Sequence, residues 1–175
     1  MTFTRRQFSL HVASSIGFSG IALAAPQKPG QEISHAADAI HQEVSFSVEP
    51  KKIYDVLLDA KQFDEMTRLI PSMQTANLGN SPTQISRELG GPFTLFKGHI
   101  VGRHVEFIPN RRIVQAWRVV TWDPGIYSIA KFEMTQQGSG TKLIFDHTGF
   151  PVGLAKHLAD GWKEHYWEPL QKYLA

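Results

Sequence analysis

The sequence contains no cysteine among its 175 residues. This absence excludes disulfide bonds, thiolate metal sites, iron–sulfur clusters and cysteine nucleophiles. The sequence also lacks a large excess of either positive or negative charge. It has 18 lysines and arginines and 16 aspartates and glutamates, for a net charge of +2. Nucleic-acid binding requires a basic surplus, so we expect no nucleic-acid partner. The remaining composition, 42% hydrophobic and 11% aromatic, is typical of one globular domain.

Motifs of several common enzyme classes are absent as well. The sequence has no phosphate-binding glycine loop, dinucleotide fingerprint, nucleophile-elbow serine or zinc-binding His-Glu-x-x-His helix. His35, Asp38 and His41 could supply metal ligands, but they straddle a predicted linker and strand and so lack a fixed scaffold. We therefore assign no catalytic residue, no metal and no cofactor.

The N-terminal segment resembles a twin-arginine signal peptide over residues 1–24. The pair Arg5-Arg6 precedes a weakly apolar stretch at residues 12–25, and small residues near Ala24 suit cleavage. The apolar stretch is about 14 residues long, whereas a membrane-spanning helix needs roughly 20. We expect a periplasmic or secreted protein with no stable membrane span after cleavage. His11 stands where such signals often carry lysine, so the general secretory route is an alternative.

Hydrophobic periodicity predicts one domain at residues 39–175, after a linker at residues 25–38. Alternating apolar residues over 40–48 predict a strand, and i, i+3, i+4 spacing predicts two short helices between Pro50 and Pro71. Residues 83–148 contain short apolar runs separated by Gly, Pro and Asn turns, a pattern that predicts about six antiparallel strands.

The C-terminal segment predicts a long amphipathic helix over residues 154–174, because apolar side chains recur there at every fourth position. We expect a bend at Pro169, which lacks the amide that would bond the carbonyl of His165. Helices and antiparallel strands are separated along the chain, so the fold class is α+β. The expected architecture is a curved antiparallel sheet wrapped around the C-terminal helix.

Two strands near residues 128–134 and 141–148 should form a hairpin with one buried face. Phe132, Phe145 and His147 fall on that face, while Asp146 falls on the opposite one. His147 has two interpretations: a buried histidine satisfied by one hydrogen bond, or a polar anchor for a ligand. The adjacent carboxylate cannot orient its imidazole, since neighbouring strand residues face opposite sides.

Aromatic residues on the sheet and on the terminal helix are the main candidates for a binding site. They could fill the space between the two elements as core, or line it as the wall of a pocket for a flat or acyl ligand. Periodicity alone leaves both alternatives open. The set is Trp117, Phe132, Phe145, Trp162 and Tyr166.

His104 and Glu106 share strand parity if their strand is regular. With that face inward, an imidazole and a carboxylate would lie near 7 Å apart on a cavity wall, as polar anchors or as an acid–base pair. A solvated or structurally paired role is the alternative.

An ordered set of motifs resembles the C-terminal domain of the activator of Hsp90 ATPase homologue family, over about residues 40–174. The motifs are Gly90-Gly91-Pro92-Phe93, Gly102, Glu106, Pro109, residues 112–118, Trp122, residues 125–128, Gly138-Ser139-Gly140-Thr141, Gly149-Phe150-Pro151 and Gly161-Trp162. The resemblance implies the helix-grip, START-like fold of a superfamily that includes lipid-transfer domains and polyketide cyclases. We expect the separate N-terminal domain of the eukaryotic co-chaperones to be missing.

The leading functional hypothesis is a binding protein that holds a small apolar or amphipathic molecule between sheet and helix. Its contacts would be the five aromatic residues, with His147, His104 and Glu106 as polar anchors. One alternative is a protein-interaction or co-chaperone-like module, whose protein partner the sequence does not identify. Another is a cyclase-like or hydrolytic enzyme that uses His104 and Glu106, because a START-like fold by itself does not fix the activity.

Overall fold

The computed structural model describes residues 38–75 and 78–175. Seven antiparallel strands form one sheet, and six of them lie between residues 83 and 148 as predicted. The strands are β1 (Ala39–Phe46), β2 (Gln84–Ile85), β3 (Pro92–Leu95), β4 (Ile100–Ile108), β5 (Arg112–Val119), β6 (Ser128–Gln137) and β7 (Gly140–Thr148). Their order across the sheet is β1-β7-β6-β5-β4-β3-β2. The α+β class and the START-like architecture are confirmed.

The β6–β7 hairpin forms the centre of the buried face. Phe132 lies opposite Phe145, and Ala130 lies opposite His147. The two phenylalanine rings are 5.0 Å apart between centroids. β1 continues the same face, because Ile40 pairs with His147 and is buried. Strict alternation therefore places the predicted side chains of the hairpin inside.

Three short helices follow β1: α1 (Pro50–Leu58), α2 (Ala60–Thr67) and α3 (Pro71–Thr75). Pro50 begins α1. Proline lacks a backbone N–H, which costs nothing there because the first amides of a helix have no intrahelical acceptor. Asp59 caps α2, since its carboxylate accepts a hydrogen bond of 2.9 Å from the amide of Gln62. The two predicted helices are present, but the second ends at Thr67, and Pro71 begins a third.

The C-terminal helix packs on the concave side of the sheet and is not uniform along its length. It consists of α4 (Ala155–Trp162), a π-helical turn (Lys163–Trp167) and α5 (Glu168–Tyr173). The amide of Glu168 bonds the carbonyl of Lys163, one residue further back than in an α-helix. Pro169 follows directly and cannot donate to His165, so the predicted irregularity takes the form of a π-helical turn.

Close packing between β3, β4 and β5 explains one glycine of the motif set. Gly102 lies opposite Phe93 on β3 and Trp117 on β5. A Cβ atom at this position would collide with the carbonyl oxygen of Ala116 and with the ring of Phe93. Any larger residue would push these strands and Phe93 apart.

The predicted signal peptide and nearly all of the predicted linker lie outside the described residues. Within residues 38–75 and 78–175, no helix has both the length and the apolar character that crossing a bilayer requires. The same residues contain no group of three or more histidines and carboxylates arranged to hold a metal ion.

Candidate ligand pocket

A pocket of about 260 Å³ opens between the C-terminal helix and one end of the sheet. Its wall is mainly apolar, with side chains from α3, β4, β5, α4 and the π-helical turn. The lining residues are Ser72, Met73, Leu78, Phe96, His99, Ile100, Trp117, Val119, His157, Leu158, Gly161, Trp162, His165 and Tyr166. The space between helix and sheet is thus partly open at this end.

Three of the five predicted aromatic residues line this pocket. Trp117 points inward from β5, and Trp162 and Tyr166 lie one helical turn apart on the terminal helix. The rings of Trp162 and Tyr166 are 4.2 Å apart between centroids, and those of Trp117 and Trp162 are 5.4 Å apart. Together they form a continuous aromatic wall that closes the pocket on its inner side.

Phe132 and Phe145 do not line the pocket. Their ring centroids lie 5.7 Å and 4.3 Å from that of Trp162, which separates them from the open space. Both are at most 1% exposed. These two residues fill the gap between helix and sheet as core, the first of the two alternatives considered for the aromatic set.

His147 is buried in the same core, and its hydrogen bonds are made within the protein. Trp162 Nε1 donates to His147 Nδ1 at 2.9 Å. Because an indole nitrogen only donates, the imidazole proton lies on Nε2, which donates to Ser128 Oγ at 2.7 Å. Ser128 in turn donates to the carbonyl of Trp117 at 2.9 Å. Burial lowers the pKa of His147 to about 4, so it is neutral at pH 7.

His104 and Glu106 do not share a face, and the expectation that they would is wrong. His104 pairs with Gln115, but Glu106 pairs with Val114, so Val105 is the extra residue of a β-bulge. The bulge reverses the parity of the strand beyond it. Glu106 consequently lies on the outer face, where its carboxylate accepts a hydrogen bond of 3.2 Å from Arg112.

His104 itself is buried beneath the sheet, outside the pocket. Its ring lies between those of Phe93 and Phe107, at centroid distances of 5.1 Å and 4.7 Å. Neither of its nitrogens has a hydrogen-bond partner among the described residues. Burial lowers its pKa to about 4. With Glu106 outside, the acid–base pair that an enzymatic role required is not formed.

The outer face of the sheet carries a row of paired charged side chains. Asp146 points outward as predicted, and its carboxylate contacts His41 at 2.7 Å and Lys131 at 2.9 Å. Lys131 also contacts Glu133 at 3.1 Å, and Glu133 contacts Arg112 at 2.6 Å. These contacts cross the sheet from β1 to β5 on the side away from the pocket.

Two residues of the pocket lining carry buried donors that have no acceptor among the described residues. Trp117 Nε1 and Tyr166 Oη find no well-formed hydrogen bond among the described residues. Burial raises the pKa of the Tyr166 hydroxyl, and the nearby Trp117 partly opposes that effect. The hydroxyl therefore stays protonated and able to donate. An unmet buried donor costs about 1–3 kcal/mol.

Most of the pocket-lining residues on the terminal helix, and those of the turn before β4, were not predicted as site residues from the sequence. His157, Gly161 and His165 follow one another at four-residue intervals, which a helical plot of the terminal segment would have placed on one stripe. Phe96 and His99 belong to a 3₁₀ turn (Phe96–Gly98) and its end. The sequence carried no signal for the position of that turn.

Known proteins resemble this chain in sequence over most of the domain. A family model described as Activator of Hsp90 ATPase homolog 1-like protein matches residues 47–175. The mouse activator of 90 kDa heat shock protein ATPase homolog 2 is 30% identical over 94 residues, 54% of this chain and 28% of that protein. The human homolog 1 is 23% identical over 93 residues, 53% of this chain and 28% of that protein. The chain spans less than a third of the length of either relative.

Solved structures share the fold. An HSP90 activator from Plasmodium falciparum superposes with a TM-score of 0.68 at 22% identity, over 78% of this chain and 95% of that one. The Aha1 dimer from Colwellia psychrerythraea gives a TM-score of 0.60 at 15% identity, over 78% and 96%. With the match of the family model to residues 47–175, the chain belongs to the activator of Hsp90 ATPase homologue family.

Proposed function

We propose that this domain binds a small apolar or amphipathic molecule in the pocket between the terminal helix and the sheet. The observation that carries the proposal is the open, mainly apolar space beside Trp117, Trp162 and Tyr166. Protein interiors are close-packed, so an open space of this size walled by aromatic rings is suited to a ligand.

The expected affinity is modest. A ligand that buries about 300 Å² of apolar surface gains about 7 kcal/mol before the cost of association. Binding in the micromolar range or weaker is therefore expected. Phe132, Phe145 and His147 would support such a site from behind, because they hold Trp162 in place.

Gly161 offers a direct test, because it lines the pocket and has open space beside it. A Cβ atom there would meet only His165 Nδ1, at 3.9 Å. We expect Gly161→Leu to fill part of the pocket and weaken binding of decanol and naphthalene at least tenfold. Gly161→Ala is the matched control, since both residues favour a helix but alanine occupies little of the pocket.

Tryptophan fluorescence titration and native mass spectrometry of the purified protein would measure this binding. Thermal unfolding of the two variants must match that of the wild type, so that lost binding does not reflect lost folding. If the wild-type protein binds neither probe and purifies without any bound molecule, the pocket is not a ligand site.

A co-chaperone-like role is the second candidate, and the named relatives favour it, since they are described as activators of the 90 kDa heat shock protein ATPase. The chain would then bind an ATPase partner of that kind through its surface. Addition of the purified domain to a 90 kDa heat shock ATPase would raise the rate of ATP hydrolysis. An unchanged rate, with no complex in a pull-down, would count against this role.

Export is a further part of the proposal and rests on the N-terminal sequence alone. Arg5 and Arg6 with the apolar stretch after them favour the twin-arginine route. Expression of the full chain followed by cell fractionation would test it. We expect the protein in the periplasm, shortened near Ala24, and retained in the cytoplasm when both arginines are replaced by lysine.

A further inference from the structure

Three histidines meet at the pocket, each supplied by a different element. His99 follows the 3₁₀ turn, His157 lies on α4, and His165 lies on the π-helical turn. All three line the same open space as the aromatic wall. His157 is exposed and the other two are half-buried, so the imidazoles are reachable from solvent.

The described part of the pocket wall offers no other charge that could accompany these imidazoles. Among its described lining residues, there is no aspartate, glutamate, lysine or arginine. Burial lowers the pKa of His99, and the positive charges of His165 and His157 lower it further. His99 therefore lies near enough to His157 and His165 for their positive charges to act on it, and an anion beside these rings would offset that repulsion.

Charged neighbours outside the pocket are mostly engaged elsewhere. On α4, Lys156 pairs with Asp160 at 2.6 Å, and the positive charge of His157 helps to lower the pKa of Asp160. Lys163 and Glu164 on the π-helical turn are exposed, and Lys97 on the 3₁₀ turn donates to the carbonyl of Met73. Helix α3, which closes the remaining side, has no charged residue in its sequence.

The orientation of His165 leaves one nitrogen for a ligand. Its Nδ1 lies 3.1 Å from the carbonyl of Gly161, a group that can only accept, so Nδ1 carries a proton. The other nitrogen, Nε2, has no partner among the described residues. When Nε2 is also protonated, the ring is a cation with one donor left over for an oxygen ligand.

We propose that the ligand of this pocket is an organic acid, with its apolar body against Trp117, Trp162 and Tyr166 and its carboxylate beside His99, His157 and His165. This inference rests on the proposed binding function and specifies its ligand class. The aromatic wall would hold the body through apolar burial, and the imidazoles would select the charged head group.

Affinity for such an acid depends on pH in a defined direction. Protonated imidazoles attract a carboxylate, and a histidine side chain is the group whose charge changes between about pH 5 and 8. Burial and the neighbouring imidazoles lower the pKa of His99, and a bound carboxylate opposes that effect by favouring the protonated ring. The carboxylate stays ionised down to about pH 5. We therefore expect affinity for the acid to rise as the pH falls from about 8 to about 6, while affinity for a neutral analogue stays nearly constant.

Isothermal titration with two matched probe pairs would test the proposal. Decanoate and decanol share an alkyl chain, whereas naphthoate and methyl naphthoate share an aromatic ring system. The two pairs therefore also show whether the pocket prefers an alkyl or an aromatic ligand. We expect the acid of at least one pair to bind about tenfold more tightly than its neutral partner near pH 6, with a smaller ratio near pH 8.

Histidine variants assign that preference to the cluster. His157→Gln should lower the ratio of acid to neutral affinity two- to fourfold, and a triple change of His99, His157 and His165 to Gln should bring it to about one. His41→Gln, on the outer face, is the control and should keep the wild-type ratio. Because His157 is exposed, we expect His157→Gln to fold like the wild type.

Three outcomes would overturn the proposal in distinguishable ways. If the neutral probes bind but the acids have no advantage at either pH, the acid assignment fails while the binding function stands. If none of the four probes binds, the proposed binding function fails with it. A preference for acids that survives in the triple variant would show that the histidines do not recognise the head group.

Discussion

The free energy of unfolding is expected to fall by about 6 kcal/mol as the pH drops from about 7 to about 4, because two buried histidines must remain neutral in the fold. His104 and His147 each have a pKa of about 4 in the folded protein. In the unfolded chain, a histidine titrates near 6.5. Between these values the unfolded state binds more protons, so stability is complete above about pH 7 and is lost as the pH falls.

Urea unfolding at pH 7, 5.5 and 4.5 would measure this loss. His104→Leu should remove about half of the pH dependence at little cost near pH 7, because the replaced imidazole makes no hydrogen bond among the described residues. His147→Leu should also flatten the curve but destabilise the protein at neutral pH, since it removes the acceptor of Trp162. Exposed His41→Gln serves as the control. Equal stability at pH 7 and 4.5 would contradict the buried, neutral state of both residues.

Trp162→Ala is expected to reduce the free energy of unfolding by about 5 kcal/mol, through two separate losses. The indole is 2% exposed and packs against a full set of aromatic rings, so its removal leaves a large cavity. Losses of this kind cost about 3–5 kcal/mol. The change also leaves His147 Nδ1 without its donor, at a further cost of about 1–3 kcal/mol. The neighbouring rings are those of Trp117, Phe132, Phe145, His147, Tyr166 and Trp167.

Chemical denaturation with two companion variants would separate these losses. Trp162→Phe keeps much of the ring volume but removes the donor, so its cost should be clearly smaller than that of Trp162→Ala. Trp122→Ala is a matched control, because Trp122 is only half-buried and its ring lies 5.6 Å from Trp117 at the margin of the cluster. A loss below about 2 kcal/mol for Trp162→Ala would show that the core does not depend on this ring. Since folding itself is at stake, this substitution cannot serve as the test of ligand binding.

The regular parts of the fold were predictable because they follow simple periodicities. Alternation over β6 and β7 placed Phe132, Phe145 and His147 inside and Asp146 outside, as the structure shows. The bulge at Val105 was not predictable, because β4 has apolar residues at both odd and even positions. An extra residue in such a strand does not visibly disturb the apolar–polar alternation. One residue was enough to place Glu106 on the opposite face from His104.

The candidate site was only partly predictable, for a different reason. Strand parity tells which side chains face inward, but not which of them the helix covers. Phe145 lies under Trp162 and is core, whereas Trp117, nearer the open end, reaches the pocket. That difference depends on where the helix crosses the sheet. His99 joins His157 and His165 only through tertiary folding, so no spacing in the sequence connects it to them.

The π-helical turn lets the two halves of the C-terminal helix turn different side chains inward, toward the pocket before the turn and toward the core and α2 after it. Before and within the turn, Trp162 and Tyr166 face the pocket; after it, Leu170 is completely buried and Tyr173 reaches Glu65 on α2 with its hydroxyl. The wider turn also brings Trp167 inward, next to Tyr166, where its indole donates to Gln42. Without the extra residue, the two halves would rotate by about 100° relative to one another. The widened turn thus sets the rotation of α5 relative to α4, so that the side chains of the pocket wall and those that anchor the C-terminus are oriented independently on a single helix.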